Sequence, residues 1–189
     1  MKFYTSDLHL DHTNIIKYEN RPFNSIDEMN ETIIRNWNKR VKPGDEVYIL
    51  GDFCFDKDGS RTNQFLKRLN GRKYLVKGNH DHFIKAKNFD KSLFEWIKDY
   101  AVIKDENDVV VLFHYPIAVW DRKHHNSIHL YGHIHSNTGE HHPLDFDLGN
   151  AFNVGVDVCD FEPKTLDELI DMAGGLVDEE VNNDWLSKC

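Results

Sequence analysis

Short apolar runs that end, one after another, in a carboxylate, an amide or an imidazole constrain this chain most. The run Lys2–Ser6 leads into Asp7 and His9, two positions apart. Glu46–Leu50 leads into Gly51-Asp52, and Lys73–Val76 into Gly78-Asn79-His80-Asp81. Val109–Phe113 leads into His114, and Ile128–Tyr131 into Gly132-His133-Ile134-His135. Runs this short and rich in β-branched and aromatic residues read as strands. Ligands of α/β sheets gather at the carboxyl ends of strands, so these polar groups are expected to meet in one crevice. In an extended backbone His133 and His135 would point to the same side.

Further strands are expected at Tyr100–Ile103 and Phe152–Val158. Between the strands, Ser25-Ile26-Asp27-Glu28 has the spacing of a capping box and opens a helix through about Val41. Its apolar positions Met29, Ile33, Ile34 and Trp37 share one face. Thr165-Leu166-Asp167-Glu168 starts another helix, which Gly174-Gly175 stops. Shorter helices are expected at Asn14–Glu19, Thr62–Leu69 and Leu93–Lys98. Early strand–helix alternation followed by consecutive strands indicates an α/β fold with a mixed sheet or two packed sheets. The length of 189 residues suits one domain, 1–189, with 176–189 an acidic C-terminal tail in which Trp185-Leu186 would dock.

A formal charge of −9 argues against non-specific affinity for nucleic acid or anionic membrane. The basic clusters Arg35 to Lys42 and Lys67 to Lys77 read as solvated helix faces. No apolar stretch approaches the length of a membrane span, and Met1-Lys2-Phe3-Tyr4 runs straight into a strand with no signal peptide. Three widely spaced cysteines (Cys54, Cys159, Cys189) suit neither a disulfide framework nor a zinc site of cysteines alone. A cytoplasmic, reduced protein without a membrane partner is expected.

Twelve histidines are many for this length, and most are clustered. His124, His125, His141 and His142 fall in polar loops and read as solvated; Cys54 reads as a packed thiol. Taken singly, Asp7 would serve as a turn cap, His114 as a satisfied core histidine, and Asn79-His80-Asp81 as a polar turn. Jointly the strand ends supply two aspartates, one asparagine and four histidines besides His80. Without a cation that set would bury charges and leave polar groups unpaired. It exceeds one tetrahedral site and suits two divalent ions bridged by one carboxylate.

In order, D-x-H, G-D, G-N-H-D, H and G-H-x-H, from Asp7 to His135, resemble the calcineurin-like metallophosphoesterase superfamily. The flanking stretch from Asp7 to Ile15, with Arg21-Pro22-Phe23, is similar to the small bacterial and phage phosphoesterases within it. The resemblance implies two packed mixed β-sheets flanked by helices, an α/β/β/α sandwich. It implies one ion held by Asp7, His9, Asp52 and His135, and the other by Asp52, Asn79, His114 and His133. The ions would be Mn, Fe, Zn or Ni. It further implies hydrolysis of a phosphomonoester or phosphodiester, a small molecule or a nucleotide, by a hydroxide bridging the two ions. His80 would protonate the leaving oxygen or stabilise the transition state, with Asp81 orienting it. His12, Asn14 and Arg21 would contact substrate, although His12 and Asn14 also suit groups behind the ligands and Arg21 a structural turn. Two other readings stand beside this one: a nuclease, and a non-catalytic metal-binding scaffold of the same fold. Intact Asp7, Asp52 and His80 speak against the scaffold, and the acidic balance against the nuclease.

Overall fold

Side chains alternate along the first strands, and both faces are buried. The computed structural model describes residues 1–136 and 148–177. Strands β1 (Lys2–Thr5), β2 (Glu46–Ile49), β3 (Arg72–Val76) and β4 (Trp96–Lys98) form one sheet, in that order and parallel throughout. Strands β5 (Ala101–Asp105), β6 (Asp108–Leu112), β7 (Ile128–Tyr131) and β8 (Ala151–Asn153) form the second. There β5 is antiparallel to β6, while β6, β7 and β8 are parallel. The two sheets expected from the sequence are therefore present, one parallel and one mixed. His141, His142 and the tail from 178 onward, with Trp185, Leu186 and Cys189, lie outside the described residues.

Parallel neighbours need crossover connections, and α2 (Ile26–Arg40) and α3 (Ser60–Arg68) supply them on either side of β2. Phe3, Val47, Ile49 and Leu75 face these helices and join Met29, Ile33, Ile34, Trp37, Phe65 and Leu66 in one core. Tyr4, Tyr48, Leu50 and Val76 point the other way and join Val110, Leu112, Ile128, Leu130 and Phe152 between the sheets. Strand register sets Tyr4 opposite Tyr48, Tyr48 opposite Tyr74 and Tyr74 opposite Trp96. Their ring centroids lie 5.6, 4.7 and 5.3 Å apart, an aromatic ladder across the inner face of the first sheet.

Ser25 caps α2 by accepting a hydrogen bond from the Glu28 amide at 3.1 Å. Helices α1 (Ile15–Tyr18) and α4 (Leu166–Met172) are short, and Thr165 with Glu168 completes a capping box on α4. On the outer face of the second sheet the loop after β6 takes the place of a helix, with a single 3₁₀ turn at Lys123–His125. Its Trp120 packs 5.2 Å from the ring of His129.

Two segments depart from expectation. The helix expected at Leu93–Lys98 is a 3₁₀ turn, Lys91–Leu93, followed by β4. Placing Trp96 on the aromatic ladder overrides the local helical pattern. The strand expected at Phe152–Val158 stops at Asn153, whose side-chain oxygen accepts the Gly155 amide at 2.8 Å and turns the chain. Among the described residues no helix is long and apolar enough to cross a membrane.

Trp37 is 1% exposed at the centre of the helix-side core and donates its indole N–H to the Asn70 carbonyl at 3.0 Å. Trp37→Ala should destabilise the fold by about 3–5 kcal/mol, read as a lower urea midpoint with an unchanged slope.

Candidate metal centre

Strands β1 and β2 both end in residues with left-handed backbone: Asp7 (φ 56°), His9 (φ 50°) and Asp52 (φ 54°). Such conformations are sparse for residues with side chains and cluster at functional sites. Cross-bonding between the two loops holds them here. The Asp7 amide donates to the Gly51 carbonyl at 3.0 Å, and the His9 amide to the Asp52 carbonyl at 2.9 Å. His133 (φ 71°) and His135 (φ 47°) also turn left-handed, beyond the end of β7. Their placement comes from a looped backbone, with the Ile134 amide bonded to the Gly132 carbonyl at 2.9 Å, and not from the extended strand expected.

The two imidazoles join separate groups. Asp7, His9 and His135 bring ligand atoms within 4.8 Å of one another, and so do Asp52, His114 and His133. The carboxylate of Asp52 lies between them. Its Oδ1 accepts the His80 amide at 2.8 Å, while Oδ2 sits 3.5 Å from His9 Nε2 and 3.7 Å from His114 Nε2. Asn79 Oδ1 is 3.0 Å from the same His114 nitrogen. All seven residues expected to hold metal are thus gathered in one place.

His114 Nδ1 lies 2.7 Å from the Leu50 carbonyl, which can only accept, so a neutral ring turns the lone pair of Nε2 toward Asp52 and Asn79. His135 Nδ1 lies 2.7 Å from Asp157 Oδ2, which likewise turns Nε2 toward Asp7 and His9. Asp7 Oδ1 and His9 Nε2 are buried with no hydrogen-bond partner. Lone pairs converge without hydrogens between them, the arrangement a divalent cation satisfies.

Titration follows the same logic. Burial pushes Asp7 above the usual carboxylate range, a shift that a bound cation reverses. Burial, then the neighbouring His135 and Arg21, push His9 down and keep it neutral, as a ligand must be. Burial, then His114, lower His133 as well. Partial burial lowers His135 as well, yet the bond to Asp157 and the charge of Asp7 raise it on balance.

The remaining expected residues divide. His80 belongs to neither metal group; its ring stands 5.4 Å from that of His9, partly exposed to the crevice. Asp81 does not orient that ring. Both its oxygens are taken by backbone amides, Oδ2 by Asp52 (3.1 Å) and Gly78 (2.8 Å), Oδ1 by Phe53 (2.8 Å). Asp81 braces the Asp52 loop, and burial pushes its carboxyl up to about 6 although the Gly78 amide pulls it down. His12 stands behind His9, the two Nδ1 atoms 3.3 Å apart, and stacks on Phe55 at 4.2 Å. Asn14 is exposed at the start of α1 and makes no side-chain cap bond. Arg21 is not placed to clamp a phosphate: it is 4% exposed, and its guanidinium donates to the carbonyls of Asp7 (2.7 Å) and Leu8 (3.0 Å). The structural alternative for Arg21 is the one realised.

The sequence reading missed Asp157, because an expected strand through Val158 hid it. Gly155-Val156-Asp157, a glycine and a carboxylate just after a strand, repeats the signal of the other strand ends. Tyr115 was missed as well; its hydroxyl lies 3.4 Å from Asn79 Oδ1, and its ring packs 4.6 Å from that of His133.

Comparison with known proteins agrees with this geometry. The profile describing the calcineurin-like phosphoesterases matches residues 3–102, which include the first three motifs. An uncharacterised protein of Methanocaldococcus jannaschii is 33% identical over 169 residues, 89% of this chain and 88% of its own length. The gene 66 protein of Mycobacterium phage L5 is 33% identical over 84 residues, 42% of this chain and 39% of its own. A crystal structure of a protein of unknown function from Aquifex aeolicus superposes with a TM-score of 0.70 at 28% identity, covering 91% of this chain and 98% of that one. The chain belongs to the calcineurin-like phosphoesterase family.

Glycine at 132 is dictated by the site. A Cβ there would run into Ser6 Oγ and Asp7 Oδ2, and the latter already accepts the His133 amide at 2.9 Å. Gly132→Ala should therefore displace Asp7 and weaken metal uptake, measured by calorimetric titration of metal-free protein with Mn²⁺. Wild-type affinity in this variant would show that the close approach is dispensable.

Proposed function

We propose that this protein is a dinuclear metal-dependent hydrolase of phosphate esters, acting on a small phosphomonoester, phosphodiester or nucleotide. The reading is supported above all by two unpartnered buried atoms, Asp7 Oδ1 and His9 Nε2, beside the clustered carboxylate of Asp52 and imidazoles of His114, His133 and His135, on the motif residues of a phosphoesterase family. Asp7, His9 and His135 would hold one ion and Asn79, His114 and His133 the other, with Asp52 Oδ2 shared. Ions there supply Lewis-acid charge for phosphoryl oxygens and acidify water near neutral pH. Which metals are used is left open by a mixed nitrogen and oxygen ligand set.

The chain's own residues do the rest. Asp52 keeps one oxygen on the His80 amide, which ties the carboxylate that would be shared by the ions to the His80 backbone. Asp81 fixes that loop through three backbone amides, limiting reorganisation during reaction. His80 holds no metal-group position, and its partly exposed ring is assigned to deliver a proton to the leaving oxygen.

Two substitutions separate these roles. Asp52→Ala should lower both metal content and hydrolysis. His80→Ala should keep metal content while kcat falls by roughly 10²–10⁴, the usual scale for a general acid. That loss should shrink on nitrophenyl esters, whose leaving group needs little protonation, and be largest on alkyl esters. Metal loss in His80→Ala would make it a ligand, and full activity on every ester would make it a bystander. Hydrolysis at full rate by protein shown to be metal-free would sink the dinuclear reading altogether.

A further inference from the structure

Arg21 and Asp157 form a buried ion pair beside the metal centre, with side chains 0% and 3% exposed. The contact is bidentate: Nε donates to Oδ1 at 2.7 Å and Nη2 to Oδ2 at 2.8 Å. The other guanidinium hydrogens reach the Asp7 carbonyl, the Leu8 carbonyl and, at 3.4 Å, the sulfur of Met29. All five donors of the arginine are therefore occupied. At the far end Asp157 Oδ2 also faces His135 Nδ1. One continuous chain of contacts thus runs from the left-handed loop carrying Asp7 and His9, through Arg21 and Asp157, to His135.

Resting on the metal-centre reading above, we propose that Arg21 and Asp157 are positioning residues for one ion only, the one taken by Asp7, His9 and His135. Asp157 fixes the imidazole with hydrogen on Nδ1, so Nε2 faces the ion, and a carboxylate behind a histidine also makes it a more basic ligand. Arg21 clamps the carbonyls of Asp7 and Leu8 and so holds Asp7 and His9 at their left-handed φ. Lysine cannot substitute: its ammonium lacks the planar fork that meets a carboxylate and two carbonyls at once. None of the hydrogen bonds made by this pair reaches Asp52, His114 or His133.

The test is calorimetric titration of the metal-free full chain with Mn²⁺, for wild type, Asp157→Asn and Arg21→Lys. Wild type should show two classes of site. In each variant one class should weaken by about 10–100-fold, the usual effect of removing a group behind a metal ligand, and the other should stay unchanged. Arg21→Lys keeps the buried positive charge, so it decides the matter if Asp157→Asn does not fold. A pair that only stabilised the fold would lower the melting temperature of metal-free protein and leave the two affinities alike, either unaltered or equally reduced. That result overturns the proposal. Wild type binding no Mn²⁺ would instead sink the metal-centre reading on which it rests.

Discussion

Electron pairs that face one another with no hydrogen between them are the constraint on which this structure turns. Asp7 Oδ1 and His9 Nε2 are buried without partners, and Asp52 Oδ2 lies within 4 Å of nitrogens from both metal groups. Each buried polar atom left unsatisfied costs about 1–3 kcal/mol, and more when charged. A loosely held loop would relax to recover that energy, by turning a side chain outward or admitting water. Two packed sheets and a helix layer prevent it: the residues just before the site, Ile49 and Leu50 on β2 and its exit, are fully buried on opposite sides of the first sheet.

The loops are stitched to one another more than to the strands. Carboxylates do most of this stitching through backbone amides: Asp81 to Asp52, Phe53 and Gly78, Asp52 to His80, and Asp7 to His133. Apart from the Asp81–Gly78 bond, each joins segments that are distant in sequence. Glycine lets the segments approach. At Gly78 a Cβ would strike Asp52, and at Gly132 it would strike Asp7. These bonds and close approaches hold the loops against one another.

Much of this was legible in the sequence because the signal repeats. Strand-like runs ending in a polar residue, several beside a glycine, mark the ends of parallel strands, and the seven residues that the structure gathers around Asp52 were picked out that way. Helix α2 was equally plain, since Met29, Ile33, Ile34 and Trp37 share a helical face and each is buried. What escaped depended on tertiary pairing. Trp96 reads as helical until the aromatic ladder of Tyr4, Tyr48 and Tyr74 places it on a strand. Asp157 was hidden inside an apparent strand that Asn153 in fact ends. The partners of Arg21 and Asp81 were beyond sequence reasoning, because a charged residue next to a motif looks the same whether it meets substrate or backbone carbonyls.

The central proposal is that one carboxylate oxygen, Asp52 Oδ2, would serve two ions at once. Anomalous diffraction from crystals of the protein soaked in Mn²⁺ tests it directly. The account predicts two peaks about 3.5–4 Å apart, the spacing of two-metal sites, both in contact with Asp52 Oδ2. One should also touch Asp7, His9 and His135, and the other Asn79, His114 and His133. A single peak, or peaks that leave Asp52 bound to one ion or none, would contradict it.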